Sequence, residues 1–143
     1  MGGATTIMAS GGKLPEYVKG IVSDSAFYSA WGVFEHDLKK RHIPVMPCLY
    51  VTSIINKIIN GWSFGETSTI DMIGRSELPI LLVHGDADKR VPLSHAKMLY
   101  AVDRTARTEL WIVPGAAHVA ALMTDPDGYR EKIRTFFEIT NIS

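Results

Sequence analysis

Three short runs of apolar residues alternate along the chain with longer stretches of helical periodicity. The runs cover residues 18–24, 79–84 and 109–113, and each contains at least three Ile, Leu or Val residues. Continuous apolar runs of this length are typical of parallel strands that are buried on both faces. Helical patterns precede, separate and follow them. We therefore predict an α/β fold with three parallel strands flanked by helices.

The helices predicted beside these strands are marked by their apolar faces and their ends. Residues 1–11 form a helix that begins on glycines and has no capping residue. Residues 93–102 carry apolar side chains on one face. A last helix begins at Asp125, which caps it, with Pro126 in the first turn. The apolar face of this last helix consists of Tyr129, Ile133, Phe136 and Phe137.

Residues 29–75, between the first two strands, are helical in pattern and carry more apolar surface than isolated helices usually do. Pro44 and Pro47 separate the first two of three short helices, and Gly61 ends the second. We predict that this segment is a helical cap inserted within a single partial domain that covers residues 1–143. Its aromatic side chains favour a packed core over a cofactor site, with part of them placed to line a pocket.

Composition narrows the classes of partner. The 143 residues, 46% of them hydrophobic, suffice for one domain with a core. The formal net charge is zero, so neither nucleic acid nor an anionic membrane is favoured. No apolar run approaches the roughly 20 residues of a membrane helix, and a signal peptide is not expected. Cys48 is the single cysteine, which excludes an internal disulfide and favours a cytoplasmic location; we interpret it as a small apolar filler.

Two loops that follow predicted strands carry the clearest chemical signal. One strand runs into residues 84–92, His-Gly-Asp-Ala-Asp-Lys-Arg-Val-Pro, and the next into residues 114–118, Pro-Gly-Ala-Ala-His. Ligands bind at the carboxyl ends of the strands in open α/β sheets, where neighbouring loops can pair Asp88 with His118. A carboxylate fixes the tautomer of a neutral imidazole and stabilises the imidazolium that forms when the ring acts as a base. We interpret Asp86 as a loop-shaping residue and His84 as a packed histidine at the end of its strand.

These loops resemble the C-terminal half of an α/β-hydrolase, the serine-hydrolase fold of esterases, lipases, acyl-peptide-cleaving enzymes and thioesterases. Residues 84–92 look like the family's acid loop, His-Gly-x-x-Asp-x-x-Val-Pro, and residues 114–118 look like its histidine loop. The resemblance implies that Asp88 is the triad acid and His118 the general base, in the chain order Ser, Asp, His. Asp24 is the alternative acid, because it also follows a strand and some relatives place the carboxylate one strand earlier.

The family's nucleophile elbow, Gly-x-Ser-x-Gly, is absent from the sequence. The first four residues, Met-Gly-Gly-Ala, resemble the continuation of that elbow, which implies a chain cut immediately after its serine; the alternative is an ordinary initiator and an accidental likeness. In the first case the backbone N–H of Met1 is an oxyanion-hole donor, and the other donor lies upstream. The chain alone is then expected to be inactive and to expose a strand edge prone to self-association.

The expected function is that of a serine hydrolase of carboxylic ester, thioester or amide bonds, of which this chain carries the acid and the base. The apolar cap favours a small-molecule acyl substrate with a hydrophobic group. No cofactor is expected, and no spacing of His, Cys and Asp indicates a metal site. The alternative is a non-catalytic interaction protein that retains the half-fold as a binding surface.

Overall fold

The computed structural model describes residues 2–66, 68–102 and 107–139. Its helices and strands are, in chain order, α1 (Gly2–Ser10), β1 (Ile21–Asp24), α2 (Ala30–Lys40), α3 (Val45–Asn60), α4 (Thr69–Ile73), β2 (Ile80–Gly85), α5 (Leu93–Val102), β3 (Thr108–Val113), α6 (Ala121–Thr124) and α7 (Pro126–Ile139).

The three strands form one parallel sheet in the order β1-β2-β3, as predicted. Ile80 of β2 pairs with Ile21 of β1 and with Thr108 of β3, which sets the register on both sides. Every residue of β2 is buried, which explains why its sequence is continuously apolar rather than alternating. Because the strands are parallel and in register, their carboxyl ends lie at the same edge of the sheet.

Two apolar clusters cover the two faces of this sheet. Successive side chains of a strand point to opposite faces, so β2 contributes to both clusters. Ile80 and Leu82 pack with α1, α4 and α5 on one face. Leu81 and Val83 pack with Phe136 of α7 on the other. The sheet is thus covered by helices on both faces.

The first strand is shorter than predicted. The apolar run begins at Val18, but Val18 N–H donates to the carbonyl of Pro15 at 2.9 Å in a turn, and β1 starts only at Ile21. The first residues of the apolar run therefore belong to the loop that precedes β1. β1 is one of the two edge strands of the described sheet, and self-association through this edge stays a prediction.

The last helix begins and packs as predicted. Oδ1 of Asp125 accepts the N–H of Gly128 at 2.9 Å, which satisfies a donor in the first turn. All four side chains of the predicted apolar face lie at the cluster that contains Leu81 and Val83. Phe136 belongs to this cluster, and Tyr129, Ile133 and Phe137 pack against it.

Three helices, α2, α3 and α4, lie in the segment predicted as a cap. Oγ of Ser29 caps α2 by accepting the N–H of Gly32 at 3.0 Å. Gly61 ends α3 in the left-handed conformation, with φ of 82°, as its position in the sequence predicts. The function of this segment as a cap stays a prediction.

Two expectations about α3 are wrong. Pro47 does not separate α2 from α3 but lies within the range of α3, after Met46, whose φ and ψ are not helical. Cys48 is exposed rather than a buried filler. The reason is that α3 buries Leu49 and Ser53, so Cys48 lies on a different face of the helix.

None of the helices in the described ranges is long and apolar enough to cross a membrane.

Candidate active site

The carboxyl ends of β2 and β3 bring Asp88 and His118 into contact. Nδ1 of His118 lies 2.8 Å from Oδ2 of Asp88, across a separation of 30 residues. The side chain of Asp88 has no exposed surface, whereas that of His118 is 22% exposed. The carboxylate therefore anchors the imidazole from inside the protein while part of the ring remains open to solvent.

The backbone of its own loop holds the Asp88 carboxylate. Oδ1 accepts the N–H of Arg90 at 2.8 Å and the N–H of Val91 at 2.9 Å. An aspartate that accepts from N–H groups shortly after it shapes the turn and fixes its own rotamer. This arrangement leaves Oδ2 directed at His118.

The hydrogen bonds also determine the charge of Asp88. Burial alone would raise the pKa of Asp88, but the N–H of Val91, the ring of His118 and the N–H of Arg90 together outweigh burial and hold that pKa below its ordinary value of 3.8. Asp88 is therefore ionised at neutral pH and can only accept. It follows that Nδ1 of His118 carries the proton in this pair.

Backbone contacts join the acid loop to the histidine loop. Oδ1 of Asp86 accepts the N–H of Gly115 at 2.7 Å, and the N–H of Ala87 donates to the carbonyl of Ala116 at 3.1 Å. A Cβ at Gly85 would collide with that carbonyl oxygen, so only glycine allows this approach. Asp86 thus shapes the loops rather than contacting His118.

His84 lies fully buried at the end of β2, directly behind the acid. Its Nε2 is 2.8 Å from the carbonyl of Val91 and 3.5 Å from Oδ2 of Asp88. Because a carbonyl only accepts, Nε2 carries the proton and the ring holds Val91 in place. The sequence pattern indicates a packed histidine here but does not reveal this second contact with the acid loop.

Asp24, the alternative acid, lies at the end of β1. Its Oδ1 accepts the hydroxyl of Ser25 at 2.9 Å, and no hydrogen bond within the described ranges joins it to His118. Burial raises the pKa of Asp24, and the Ser25 hydroxyl offsets this only in part. The imidazole is therefore paired with Asp88 and not with Asp24.

The start of α1 packs against the end of β1. The hydroxyl of Ser23 donates to the carbonyl of Gly3 at 2.8 Å, and a Cβ at Gly3 would collide with the carbonyl oxygen of Asp24. This close approach explains a glycine in the first turn of the helix. Met1, the predicted oxyanion-hole donor, lies outside the described residues.

An apolar cleft of about 450 Å³ lies between α1 and α2. The helices contribute apolar side chains to both walls, and two aromatic side chains of the segment predicted as a cap, Phe34 and Trp62, are among them. The lining residues are Ala4, Thr5, Met8, Phe27, Ala30, Val33, Phe34 and Trp62.

No group of three or more His, Cys, Asp or Glu residues in the described part of the chain is arranged to hold a metal ion.

The sequence of the chain matches a known protein family. Residues 1–138 match the prolyl oligopeptidase family. The chain belongs to the prolyl oligopeptidase family. Its predicted resemblance to α/β-hydrolase-fold serine hydrolases is thereby confirmed.

The chain spans half or less of the length of three proteins that it matches. The uncharacterized protein YqkD of Bacillus subtilis (strain 168) is 24% identical over 148 residues, which span all of this chain and 47% of YqkD. The Pyrococcus furiosus esterase Pf2001 superimposes with a TM-score of 0.67 at 16% identity, over 95% of this chain and 50% of the esterase. The Pyrococcus horikoshii acylaminoacyl peptidase gives a TM-score of 0.59 at 20% identity, over 96% and 22%. These structures confirm the predicted α/β-hydrolase fold.

We predict that Gly85→Ala destabilises the protein by about 1–3 kcal/mol, because the new Cβ forces apart the backbones of the acid and histidine loops. Chemical denaturation measures the change. Gly65→Ala is the matched control, since a Cβ there meets no atom within 4 Å. Equal stability of the two variants would contradict the proposed close packing of the loops.

We predict that the hydrogen bonds of Asp88 make the protein sensitive to acid. A carboxylate whose pKa is lower in the folded than in the unfolded state stabilises the fold above its unfolded value of 3.8, and this contribution is lost as the pH falls through the folded value. Asp88→Asn should therefore cost roughly 1.5–3 kcal/mol at neutral pH, as for hydrogen bonds to charged groups, and progressively less below pH 3.8.

Denaturation curves at several pH values test this prediction, with Asp71→Asn, an exposed position on α4, as the control. The control should show no comparable pH-dependent difference. A loss of stability in Asp88→Asn that is the same at pH 3 and pH 7 would show that the charge of Asp88 does not contribute to the fold.

Proposed function

We propose that the chain is the acid–base part of a serine hydrolase that cleaves carboxylic ester, thioester or amide bonds. The observation that carries the proposal is the 2.8 Å contact between Nδ1 of His118 and the buried carboxylate of Asp88. In this proposal, His118 takes the proton of a serine hydroxyl and later donates it to the leaving group. Asp88 holds the tautomer of the ring and stabilises the imidazolium.

The protonation of the pair supports this assignment. Since ionised Asp88 accepts from Nδ1–H, the lone pair of the neutral His118 ring lies on Nε2. No hydrogen bond from the described residues occupies Nε2, and the ring is partly exposed. A base with an open lone pair at the carboxyl edge of a parallel sheet is in the position that proton abstraction from a nucleophile requires.

The nucleophile in this proposal is a serine immediately upstream of Met1 in a longer protein. The first turn of α1 packs on the end of β1 through Gly3 and Ser23, and Ser25, two residues further along, bonds to the loop that carries His118. The nucleophile elbow of α/β-hydrolases also places its serine just before a helix, with the next backbone N–H in the oxyanion hole. At Met1, that group would serve as the donor.

The apolar cleft supports a hydrophobic acyl or aryl group as the part of the substrate that the protein binds. The cleft lies against Ala4 and Thr5, close behind the proposed serine, and Val33 and Phe34 of α2 form its opposite wall. Pockets for small molecules are mostly apolar with few polar groups. We therefore propose α2 to α4 as the cap over this acyl site.

A non-catalytic binding protein is the second candidate for the chain on its own. The observation that favours it is that no serine hydroxyl of the described residues hydrogen-bonds to His118. In this case the 143 residues bind a partner through the surface of the half-fold and catalyse no reaction. The two candidates differ in whether the protein becomes a hydrolase when it is extended by the sequence upstream of Met1.

We predict that a fluorophosphonate probe labels the protein extended upstream of Met1 by its in-frame sequence, here called the extended protein, and leaves the 143-residue chain unlabelled. The extended protein should also hydrolyse short-chain aryl esters, and His118→Ala should lower kcat by about 10²–10⁴, the usual contribution of a general base. An upstream sequence without a serine, or equal rates for His118→Ala and the parent, would favour the binding protein.

We predict that Val33→Trp in the extended protein shifts substrate preference towards short acyl chains, because the indole fills the cleft between α1 and α2. The ratio of kcat/KM for a butyrate ester over an octanoate ester should rise roughly tenfold, as expected when a few methylenes lose their pocket. Val51→Trp, on the exposed face of α3, is the control. An unchanged ratio in Val33→Trp would place the acyl site elsewhere.

A further inference from the structure

Two residues with unusual backbone conformations meet beside His118. Ser25, immediately after β1, has φ of 53°, and Val119, immediately after His118, has φ of 57°. Neither is glycine, and a β-branched residue is a rare occupant of this left-handed region. Such conformations cost free energy and persist only where the surrounding structure holds them, which happens preferentially at functional sites.

The Ser25 hydroxyl links the two strained positions. Val119 N–H donates to Oγ of Ser25 at 3.0 Å, across 94 residues of sequence. The hydroxyl in turn donates to Oδ1 of Asp24 at 2.9 Å. Ser25 is 4% exposed, and its N–H donates to the carbonyl of Val83 at 2.9 Å, which extends the ladder between β1 and β2 by one residue. The hydroxyl is thus fixed to the sheet on one side and holds the histidine loop on the other.

We propose that Ser25 is a positioning residue for His118. The inference rests on the proposed function, in which His118 is the base, and it assigns a role to the end of β1. The ring is anchored through Nδ1 to Asp88, and the backbone next to it is anchored through Val119 to Ser25. One anchor leaves the ring free to swing about that point, whereas two anchors fix the direction of Nε2. Small displacements of a reacting group cost large factors in rate.

The chemistry of the link explains why a hydroxyl and a carboxylate lie side by side here. A serine hydroxyl can donate one hydrogen bond and accept others, and the carboxyl oxygen Oδ1 of Asp24 accepts here. Asp24 therefore draws the hydroxyl hydrogen towards itself and leaves a lone pair of Oγ for Val119 N–H. On this view, Asp24 orients Ser25 and is not the acid of the pair.

The end of β1 also reaches the start of α1. Ser23 donates to the carbonyl of Gly3, and Ser25, two residues further along, accepts a hydrogen bond from the histidine loop. One short strand end thus contacts both the helix that would follow the nucleophile and the loop that carries the base. In the proposed enzyme, this strand end sets the distance between those two groups.

NMR spectroscopy of the 143-residue chain tests the link without any need for activity. In Ser25→Ala, exchange of the Val119 amide hydrogen should accelerate by roughly three- to tenfold, as for the loss of one hydrogen bond. The downfield Nδ1–H signal of His118 should broaden or disappear. Ser25→Gly, which tolerates positive φ but lacks the hydroxyl, should give the same two changes and so separate the hydroxyl from the backbone conformation.

The control is Ser10→Ala, which removes a buried hydroxyl that bonds within α1 to the carbonyl of Ile7. It should leave both signals unchanged. If Ser25→Ala and Ser25→Gly lower only the melting temperature, with Val119 exchange and the His118 signal as in the parent, the proposal is overturned and Ser25 merely stabilises the fold.

Kinetics of the extended protein separate this inference from the proposed function. Ser25→Ala should lower kcat about 10- to 100-fold with KM unchanged, because the substrate pocket is intact and the base is misdirected. An inactive parent would refute the proposed function while the NMR result stands. An active parent with an unchanged kcat in Ser25→Ala would refute the positioning role alone.

Discussion

The candidate site depends on one buried charge, the carboxylate of Asp88. An ionised group without solvent is costly unless donors surround it, and Asp88 has three, two from its own loop and one from His118. Each donor has a structural consequence. The loop donors require the turn after β2, and the ring donor requires the loop after β3 to lie beside it. The parallel pairing of β2 and β3 satisfies both conditions, so the site forms only when these two strands pair.

The same edge of the sheet is held together by close backbone approaches. Gly85 allows the histidine loop to touch the acid loop, and Gly3 allows α1 to touch β1. These glycines are needed for what lies opposite them rather than for a turn of their own. Together with the Ser25 hydroxyl, they hold the ends of three adjacent strands and their loops in contact, which is what a site of fixed geometry needs. The chain belongs to the prolyl oligopeptidase family and spans 47% of YqkD and 50% of the esterase Pf2001. Its described part holds the proposed acid, the proposed base and the contacts that support them.

Local pattern predicted much of this fold because each signal lies within a few residues. The apolar run of β2, the capping Asp125 and the left-handed Gly61 each determine structure in their own neighbourhood. Asp88 and His118 could be paired because the two loops follow strands that were both predicted, so their distance in sequence translates into adjacency in the sheet. The link from Ser25 to Val119 could not be found in this way, since neither residue has a distinctive neighbourhood and 94 residues separate them. Likewise, the turn before Ile21 and the burial of one face of α3 depend on packing, which overrides the local apolar pattern at Val18 and Cys48.

A crystal structure of the extended protein after reaction with a phosphonate ester would show directly whether Asp88 and His118 serve an upstream serine. We expect a phosphonylated serine directly before Met1, with Nε2 of His118 within about 3 Å of its Oγ and Nδ1 still on Oδ2 of Asp88. A phosphonate attached to any other residue, or an imidazole whose Nε2 faces away from the modified serine, would contradict it.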